Sequence, residues 1–349
     1  MEHSNVLIVG GGCAGISVAS RINSLKSDLS ISIIEPSEKS LYQAAWTLVG
    51  AGAYDVGNTI KPMSEVMPSY VKWIKEHAEE FMPDSNSVKT NSNTYTYDYL
   101  VVCPGLKLNF DGVAGLKESL GKNNVCTNYS AEMATYTWEC LKNLDGGTLL
   151  FTEPPMPIKC AGAPQKIAYL AADHLKKKGK LNDSHLEFLC AKPVIFGVPH
   201  FQGPLNEICD SYGIQRSFQH NLISIDGQAK EAVFKQSDKD GNSKEVTKKF
   251  DFIHVTPPQT SPDFIKNSPL ADAGGWVDVD HKVGTLRHTK YENVYSLGDV
   301  MNAPNAKTGA AVRKQAPIVA HNIVKDINKS SEDYRNYDGY GACPLTVAY

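Results

Sequence analysis

A glycine-rich turn near the N-terminus decides the fold, within the segment Asn5-Val6-Leu7-Ile8-Val9-Gly10-Gly11-Gly12-Cys13-Ala14-Gly15. The apolar run before the turn predicts a buried strand, and the apolar spacing of residues 16–25 predicts a helix after it. Residues 31–35 are again a short apolar run, which predicts a second strand. Strand, helix and strand in this order predict an α/β fold of the Rossmann-like type with a parallel sheet.

The spacing of the glycines indicates what this turn binds. Gly10, Gly12 and Gly15 follow the GxGxxG pattern, whose missing side chains let a pyrophosphate approach the backbone N–H groups at a helix N-terminus. Glu35 ends the second predicted strand, where a carboxylate accepts a hydrogen bond from a ribose hydroxyl. The whole context of strand, turn, helix and acidic residue therefore predicts a bound dinucleotide.

A second nucleotide-facing segment lies toward the other end of the chain. Asp299 follows an apolar strand, where an aspartate can hydrogen-bond the ribityl chain of a flavin. Lys307 and Thr308 open a predicted helix, whose N-terminus would stabilise the negative charge of a reduced flavin ring. Two such segments at opposite ends of one chain favour FAD over NAD as the cofactor.

The length of 349 residues predicts two domains. An FAD-binding domain is expected over residues 1–115 and 285–330, which makes it discontinuous. Residues 71–105 alternate in polarity and predict a hairpin that ends in a strand returning to the first sheet. A second Rossmann-like domain is expected over residues 116–284, and residues 331–349 are expected to begin a C-terminal region that is cut short.

Local patterns give the elements of the second domain. A helix is expected over residues 130–143, followed by a strand over residues 148–152. A further helix is predicted over residues 164–179, because apolar residues recur there at helical spacing. Residues 185–257 are predicted to form short strands, with a hairpin turn at Asp240-Gly241-Asn242.

The turn after the 148–152 strand lacks the glycines that a nicotinamide dinucleotide needs. Flavoproteins that take hydride from NAD(P)H carry a second GxGxxG turn here, whereas this chain has Glu153-Pro154-Pro155-Met156-Pro157-Ile158-Lys159-Cys160. Proline has no backbone N–H to offer a pyrophosphate. The electron donor is therefore expected to be something other than NAD(P)H.

Bulk composition excludes several classes of partner. A formal net charge of -3 gives no long-range attraction for nucleic acid or anionic lipid. The eight cysteines are scattered without CxxC pairs, which argues against a zinc site and against a small disulfide scaffold. No apolar stretch reaches the ~18 residues of a transmembrane helix, and the first strand starts too early for a targeting segment to precede it.

Two of the cysteines have surroundings that bear on chemistry. Cys160 lies before a predicted helix and between Lys159 and Lys166, and both features stabilise a thiolate, which is the nucleophilic form of cysteine. The residues alone support a reactive role and an inert role about equally. Cys343 precedes Pro344 in a glycine-rich turn, for which a buried structural thiol is the simpler interpretation.

Together with further stretches, these residues resemble the sulfide:quinone oxidoreductases, and within them the mitochondrial-type branch of these two-dinucleotide-binding-domain flavoproteins. The matching stretches span nearly the whole chain: Tyr42-Gln43, Trp46-Thr47-Leu48-Val49-Gly50-Ala51-Gly52, Lys159-Cys160-Ala161-Gly162-Ala163-Pro164-Gln165-Lys166, His254-Val255-Thr256-Pro257-Pro258, Gly275-Trp276-Val277-Asp278-Val279-Asp280, Gly298-Asp299, Lys307-Thr308, Tyr337-Asp338-Gly339-Tyr340 and Cys343-Pro344-Leu345. Such strings are much more specific than a glycine turn.

The resemblance implies a redox-active disulfide between Cys160 and Cys343 at the flavin. Sulfide would attack this disulfide, leaving a persulfide on Cys343 and a thiolate on Cys160 that donates electrons to the flavin. A small acceptor such as glutathione or sulfite would then remove the sulfane sulfur, and reduced FAD would pass two electrons to a quinone. This branch binds FAD noncovalently, so Cys126, the nearest candidate for a covalent link, is not expected to form one.

The expected cofactor contacts come from both nucleotide-facing segments and from two further positions. They are Gly10, Gly12, Gly15, Glu35, Gln43, Gly105, Asp299, Lys307 and Thr308. The resemblance also implies peripheral membrane contact, at the mitochondrial inner membrane or the cytoplasmic membrane face of a bacterium. This chain departs from the family at Val300, where relatives often have cysteine, and it stops at Tyr349, before a C-terminal region that helps form the quinone pocket.

Three alternatives stay open on the sequence. A type II NADH dehydrogenase shares the fold but would need the missing glycine turn. The flavin subunit of a sulfide dehydrogenase would hand its electrons to a cytochrome partner. A flavin-binding fragment would bind the cofactor without turnover.

Overall fold

A computed structural model describes residues 2–349, which divide into two compact units. The first unit consists of the residues up to Leu41, together with Ile60–Lys107 and Thr260–Ala342. The second unit consists of Tyr42–Thr59, Leu108–Gln259 and Cys343–Tyr349. Both units are therefore assembled from separate stretches of the chain.

Helices and strands alternate through most of the described chain. The α-helices α1 to α9 are, in order, Cys13–Leu25, Trp46–Gly50, Met63–Val66, Leu116–Ser119, Ala131–Asn143, Ala163–Lys177, Pro199–Tyr212, Asp263–Lys266 and Gly309–Ile327. The strands β1 to β19 are Glu2–Val9, Ile31–Ile34, Lys39–Leu41, Ile60–Pro62, Val71–Ile74, Ala78–Met82, Ser87–Thr90, Thr94–Val102, Lys107–Leu108, Val125–Cys126, Gly147–Glu153, Ser184–Cys190, Gln215–Phe218, His220–Asp226, Glu231–Ser237, Ser243–Lys249, Phe252–His254, Gln259–Thr260 and Val294–Ser296.

The first unit is built on one sheet with the strand order β5-β2-β1-β8-β7-β6, and β19 pairs with the carboxyl-terminal residues Leu100–Val102 of β8. Strands β5, β2, β1, β8 and β19 are parallel, with Val6 opposite both Ile31 and Tyr99. Val6 and its neighbours to Val9 are buried, as expected for a parallel strand covered on both faces. Strands β6, β7 and β8 are antiparallel, which confirms the hairpin expected within residues 71–105.

Helices α1 and α9 pack against each other beside this sheet. Val18 and Ile22 of α1 and Val319 and Ile323 of α9 are buried in its hydrophobic core. Both helices begin just after the carboxyl end of a strand or turn, so both N-termini lie in nucleotide-facing segments. The sequence prediction of a Rossmann-like first domain is confirmed.

The second unit contains a parallel sheet with the strand order β10-β17-β11-β12-β13. A separate antiparallel sheet, β14-β15-β16, follows it in the chain. Its β15–β16 hairpin turns at residues 238–242, which confirms the predicted turn. Helix α6 is buried over most of its circumference, with Ile167, Leu170 and Leu175 in the second core.

One helix of the second unit contradicts the sequence prediction. Residues 185–257 were expected to form only short strands, but α7 lies among them. Pro199 is tolerated in the first turn, and Pro204 inside the helix masks its pattern in the sequence. Leu205 and Cys209 are buried four residues apart, which is helical spacing, and Gly213 ends the helix at φ +68°.

The unit boundaries differ from the expected domain boundaries at four places: residues 42–59, 108–115 and 260–284 lie in the other unit, and residues 331–349 divide between the units after Ala342. Residues 42–59 belong to the second unit, because Trp46 and Val49 of α2 pack with Ala134 of α5. Residues 260–284 belong to the first unit, since apolar side chains such as Leu270 join its core. Of the helices in residues 2–349, none has the length and apolar content needed to cross a membrane.

Candidate functional site

The glycine turn between β1 and α1 leaves no room for larger residues at two of its positions. Gly10 has φ +110°, and a Cβ placed there would lie only 2.7 Å from the carbonyl carbon of Cys103. A Cβ on Gly15 would collide with the carbonyl oxygen of Gly10. The turn is thus tight for a packing reason, independent of any ligand.

Gly12 is different, since its surroundings are open. Within the described chain, a Cβ placed on Gly12 would meet no atom closer than 4 Å. Gly12 is exposed, and it is the N-cap residue of α1 with no side chain among residues 2–349 capping the helix. The first N–H groups of α1 are therefore available to an anion, and the helix dipole favours one there. This open cradle fits a pyrophosphate.

Glu35 is held rigidly beside this turn. Its Oε2 accepts a hydrogen bond from Gly11 N at 2.8 Å, and its Oε1 accepts one from Ser37 N at 2.8 Å. A carboxylate has about four acceptor positions, so each oxygen can still accept a hydroxyl proton. Gly105, also expected in the site, follows β8 with φ +78°. These residues fit the ribose side of a dinucleotide.

The second nucleotide-facing segment is organised around Lys307. Lys307 Nζ donates to the backbone oxygens of Asp299 at 2.7 Å and Met301 at 2.9 Å, and it lies 4.5 Å from the Trp276 ring centroid. Burial lowers the pKa of Lys307 to about 8, against the opposing effect of the Asp299 and Asp272 carboxylates. Lys307 therefore fixes the turn that carries Asp299.

Thr308 begins the longest helix of the first unit. Its side-chain oxygen accepts a hydrogen bond from Ala311 N at 3.2 Å, which makes it the N-cap of α9. A capped helix N-terminus next to a buried lysine is a positive site. The arrangement fits a cofactor that becomes negatively charged on reduction. Asp299, Lys307 and Thr308 remain the residues that the sequence predicts for this cofactor contact. Trp276, which lies beside Lys307, carried no signal beyond its place in the family-like stretch.

The structure contains a disulfide between Cys160 and Cys343, the pair that the resemblance implies. Their Cα atoms lie 6.0 Å apart although 183 positions separate them in sequence. Cys160 has φ +51°, a left-handed conformation that is uncommon for residues other than glycine. Its carbonyl oxygen accepts a hydrogen bond from Ala163 N at 2.7 Å, which joins it to the start of α6.

The expected positive surroundings of Cys160 come mainly from Lys166. Lys166 Nζ lies 3.7 Å from Cys160 Sγ, and the lysine is 8 % exposed. Burial lowers the pKa of Lys166 below its ordinary value. The N-terminus of α6 adds the positive end of the helix dipole. Within the described chain, the first turn of α6 carries no acidic residue that would offset this positive potential. A thiolate on Cys160 would be stabilised by both groups.

Lys159 has other partners. Its Nζ donates to Gln43 Oε1 and lies 5.8 Å from the Tyr129 ring centroid, while its backbone N donates to Gln259 Oε1 at 2.7 Å. Gln43, expected to contact the cofactor, thus lies in the second unit beside the residue that precedes Cys160. Tyr129 and Gln259 had not been singled out, since their positions depend on chain segments far from Cys160.

A buried carboxylate marks the carboxyl end of β11, where sequence reasoning noted only the prolines. Glu153 is 1 % exposed, and Lys192 Nζ lies 2.5 Å from its Oε1. The two groups form an ion pair at the carboxyl end of β11. Burial raises the pKa of Glu153 to about 7, although Lys192 opposes this shift.

The side chain of Cys126 has no solvent-exposed surface. It is fully buried in the core of the second unit, and its neighbour there is Cys140. Burial first, and Cys140 second, raise the pKa of the Cys126 thiol well above its ordinary value. Within the described residues, His, Cys, Asp and Glu side chains form no cluster that could hold a metal ion.

Comparison with known proteins agrees with this arrangement. A family described as pyridine nucleotide-disulphide oxidoreductase matches residues 4–139. The chain is 39% identical to the mitochondrial sulfide:quinone oxidoreductase of Mus musculus over 349 residues, covering 100% of this chain and 76% of that protein. It is 43% identical to the mitochondrial sulfide:quinone oxidoreductase of Dictyostelium discoideum over 350 residues, covering 99% of this chain and 76% of that protein.

A solved structure extends the likeness to three dimensions. The sulfide:quinone oxidoreductase of the hyperthermophilic bacterium Aquifex aeolicus matches with a TM-score of 0.80 and 25% identity, over 95% of this chain and 78% of that chain. The fold and the two nucleotide-facing segments define a two-dinucleotide-domain oxidoreductase with a flavin cofactor. Sequence identities of 39% and 43% over nearly the whole chain show that the chain belongs to the sulfide:quinone oxidoreductase family.

Proposed function

We propose that this chain oxidises sulfide to sulfane sulfur at the Cys160–Cys343 disulfide, using FAD as its cofactor. The observation that carries the proposal is the disulfide itself, closed between residues 183 positions apart and contacted by the Lys166 ammonium. Family membership supports the same substrate, because the relatives are named for sulfide and quinone. When bound, FAD would accept two electrons from the cysteine pair and pass them to a quinone.

The first step is a thiol–disulfide exchange with sulfide as the nucleophile. Hydrosulfide attacks the Cys343 sulfur, the S–S bond breaks, and the bonding electron pair leaves with Cys160 as a thiolate. Cys343 then carries a persulfide whose proton passes to water. Lys166 and the α6 N-terminus stabilise the departing Cys160 thiolate, so Cys160 is the better leaving group of the two.

The second step returns Cys343 to a thiolate. A small nucleophilic acceptor such as glutathione or sulfite attacks the outer sulfur of the persulfide and leaves carrying it. Two cysteine thiolates remain, which together hold the two electrons taken from sulfide. Loss of these electrons to the cofactor closes the disulfide again.

For the cofactor, the proposal assigns the residues whose geometry fits a dinucleotide. Gly10, Gly12 and Gly15 shape the pyrophosphate turn, Glu35 accepts from the ribose, and Gly105 lies at the end of β8. Asp299, Lys307 and Thr308 provide the second contact region. Gln43 is assigned on the family resemblance, since here its side chain accepts from Lys159.

The same relatives suggest where the protein works. Those from mouse and Dictyostelium discoideum are named as mitochondrial, which supports a mitochondrial location. A quinone is an apolar substrate held in membranes, so we also propose peripheral contact with the inner membrane.

Flavin bleaching by alternative donors tests the function. Stopped-flow absorbance under anaerobic conditions should show rapid reduction of the flavin by sulfide and slow reduction by NADH. The segment from Glu153 to Cys160 supports this, because three of its residues are prolines without an N–H for a nicotinamide pyrophosphate. Faster reduction by NADH than by sulfide would overturn the proposal.

Variants of the cysteine pair sharpen the same test. Cys160→Ser and Cys343→Ser should each retain the flavin but lose sulfide-driven reduction, by at least about a thousandfold, since no disulfide is left to attack. Cys140→Ser is the matched control, because Cys140 is a buried free thiol of the same unit. Wild-type rates in either pair variant would refute the mechanism.

A further inference from the structure

The segment that carries Cys343 has little backbone structure to hold it. In the described chain, residues 331–349 contain neither helix nor strand. Beyond Tyr337 N, which donates to Gly284 O at 2.8 Å, residues 2–349 supply no backbone-to-backbone hydrogen bond to this segment. The position of Cys343 therefore depends on the disulfide and on side-chain contacts on both sides of it. Before it, Tyr337 OH donates to the backbone oxygen of Tyr340 and Lys314 Nζ lies 5.5 Å from the Tyr340 ring centroid. We call residues 344–349 the tail.

The tail lies alongside α6, the helix that begins three residues after Cys160. A Cβ placed on Gly162 would lie 2.9 Å from Cys343 Sγ and 2.5 Å from a methyl carbon of Leu345, so both pack closely on this glycine. At the far end, Tyr349 N donates to Asp173 Oδ2 at 3.1 Å. Ten helical residues span about 15 Å, and six extended residues reach at most about 20 Å, which suits a tail running alongside the helix.

Three side chains contact the far end of the tail, and we call Asp173, Lys177 and Tyr212 the tail clamp. The Tyr349 hydroxyl also donates to the backbone oxygen of Ala51. Asp173 is 7 % exposed, accepts from Tyr349 N, and pairs with Lys177 Nζ at 2.9 Å. Tyr212 OH lies 3.2 Å from both Asp173 Oδ1 and the carbonyl oxygen of Val347, so its single proton serves one of them at a time. Lys177 also lies 4.7 Å from the ring centroid of Tyr349.

The contacts of Asp173 favour its charged form. Burial alone would raise its pKa, but the hydrogen bonds from Lys177, Tyr349 N and Tyr212 outweigh burial and hold the pKa below its ordinary value. A hydrogen bond to an ionised, largely buried carboxylate is stronger than one between neutral groups. Apolar contact adds to this, because Leu345 and Val347 pack against the core of the second unit.

We propose that the tail clamp is a positioning device that keeps Cys343 opposite Cys160 while their disulfide is open. The inference deepens the proposed function and rests on it, since positioning matters only if the disulfide opens in each turnover. An open pair closes again at a rate set by the effective concentration of one sulfur at the other. Because Cys343 lies in neither a helix nor a strand, the clamp contacts contribute to that concentration from the side that follows Cys343.

The test measures the equilibrium of the pair with glutathione, which does not involve sulfide. Two glutathione molecules reduce the disulfide to two thiols and leave as glutathione disulfide, so the oxidised fraction reports the effective molarity of the pair. The holoprotein is equilibrated anaerobically at fixed ratios of reduced to oxidised glutathione. Alkylation and mass spectrometry of the Cys160 and Cys343 peptides then give the oxidised fraction.

Each variant changes one side chain of the clamp. Tyr212→Phe deletes a single hydroxyl from a folded core and should lower the effective molarity roughly threefold. Asp173→Ala should lower it on the order of tenfold or more, because it removes the partner of both Tyr349 N and Tyr212. Asp210→Ala is the control: Asp210 is an exposed carboxylate of the same unit, 2.7 Å from Arg216, and its loss should leave the equilibrium unchanged.

A second readout separates positioning from general destabilisation. By linkage, the clamp stabilises the disulfide as much as the disulfide stabilises the clamp. Hydrogen exchange of the tail amides should therefore rise on reduction, and rise further in Asp173→Ala, while exchange in α6 stays unchanged. Equal effective molarities in wild type, Tyr212→Phe and Asp173→Ala would overturn the inference. If the clamp effect appears but sulfide fails to reduce the wild-type flavin, the proposed function fails and the clamp stands.

Discussion

Among single residues, Lys166 brings a positive charge to the disulfide, because its Nζ lies beside the Cys160 sulfur. Lys166 is the fourth residue of α6, and long side chains on a helix point back toward its N-terminus, so its Nζ comes within 3.7 Å of the Cys160 sulfur. Two lysines flank Cys160 in sequence, but Lys159 Nζ donates to Gln43 instead. Spacing alone could not tell which lysine faces the sulfur, because Cys160 adopts a left-handed conformation.

Lys166→Met should slow sulfide-driven flavin reduction by about tenfold near pH 7.5, since an ammonium this close stabilises the leaving thiolate. Burial lowers the pKa of Lys166, so in the wild type the rate should fall on the alkaline side as this lysine loses its proton. The Met variant should lack that alkaline fall and be slow throughout. Stopped-flow rates across pH 6–10 measure both effects.

Lys142→Met is the comparison for this experiment, because Lys142 is an exposed lysine on another helix of the same unit. It should reproduce the wild-type profile. A Lys166→Met rate equal to the wild-type rate, or an unchanged alkaline fall, would show that Lys166 does not act on the Cys160 sulfur.

At the scale of elements, the sequence predicted those whose signal is local. The strand β1, the glycine turn and α1 follow from one continuous stretch, residues 5–25, because the turn geometry and the apolar pattern agree. Helix α7 could not be predicted in this way, since Pro199 and Pro204 are residues that usually break helices. The burial of Leu205 and Cys209, which stabilises the helix, depends on tertiary contacts. The charge pair at the end of β11 was also missed, because Lys192 reaches Glu153 only through the pairing of β11 with β12.

This charge pair predicts a pH dependence of stability. The pKa of Glu153 is raised to about 7 in the folded chain, above its ordinary value of 4.5. Below pH 4.5 the group is protonated in both states, so it has no effect. Between pH 4.5 and 7 the unfolded chain ionises while the folded chain does not, and stability falls, by at most about 3 kcal/mol. Above pH 7 the loss is complete.

Glu153→Gln should remove this slope, so that its free energy of unfolding minus that of the wild type rises from pH 4.5 to 7 and then levels. Urea unfolding followed across that range measures the difference. Burial lowers the pKa of His254 to about 3, which gives a stability slope of the opposite sign. That slope is the same in both proteins and cancels in the difference. Glu139→Gln, at an exposed position on α5, should show a flat difference. A flat difference for Glu153→Gln as well would mean that Glu153 is ionised in the folded chain.

At the scale of the whole molecule, the class of fold was predictable from the sequence, whereas the contacts between distant segments were not. Each nucleotide-facing segment was recognisable alone, whereas the pairing of Cys160 with Cys343 came from the family resemblance and not from the residues. The contact of Asp173 with Tyr349 had no sequence signal, since neither residue belongs to a motif. Long-range contacts of this kind depend on how whole elements pack, which a local pattern does not encode.

The arrangement of the whole chain also predicts how the flavin is attached. The residues that fit a dinucleotide come from separate stretches of the first unit, whereas Cys126 lies in the core of the second unit with its thiol fully buried. Burial and Cys140 raise the pKa of Cys126 and keep it protonated, so it is a poor nucleophile toward a flavin ring. Acid precipitation of the purified protein should therefore release the yellow chromophore into the supernatant, where absorbance and mass spectrometry identify it as FAD.

Cys126→Ala should carry the same amount of flavin per chain as the wild type. Colour that stays in the wild-type pellet but leaves the Cys126→Ala pellet would establish a covalent link at Cys126 and refute noncovalent binding.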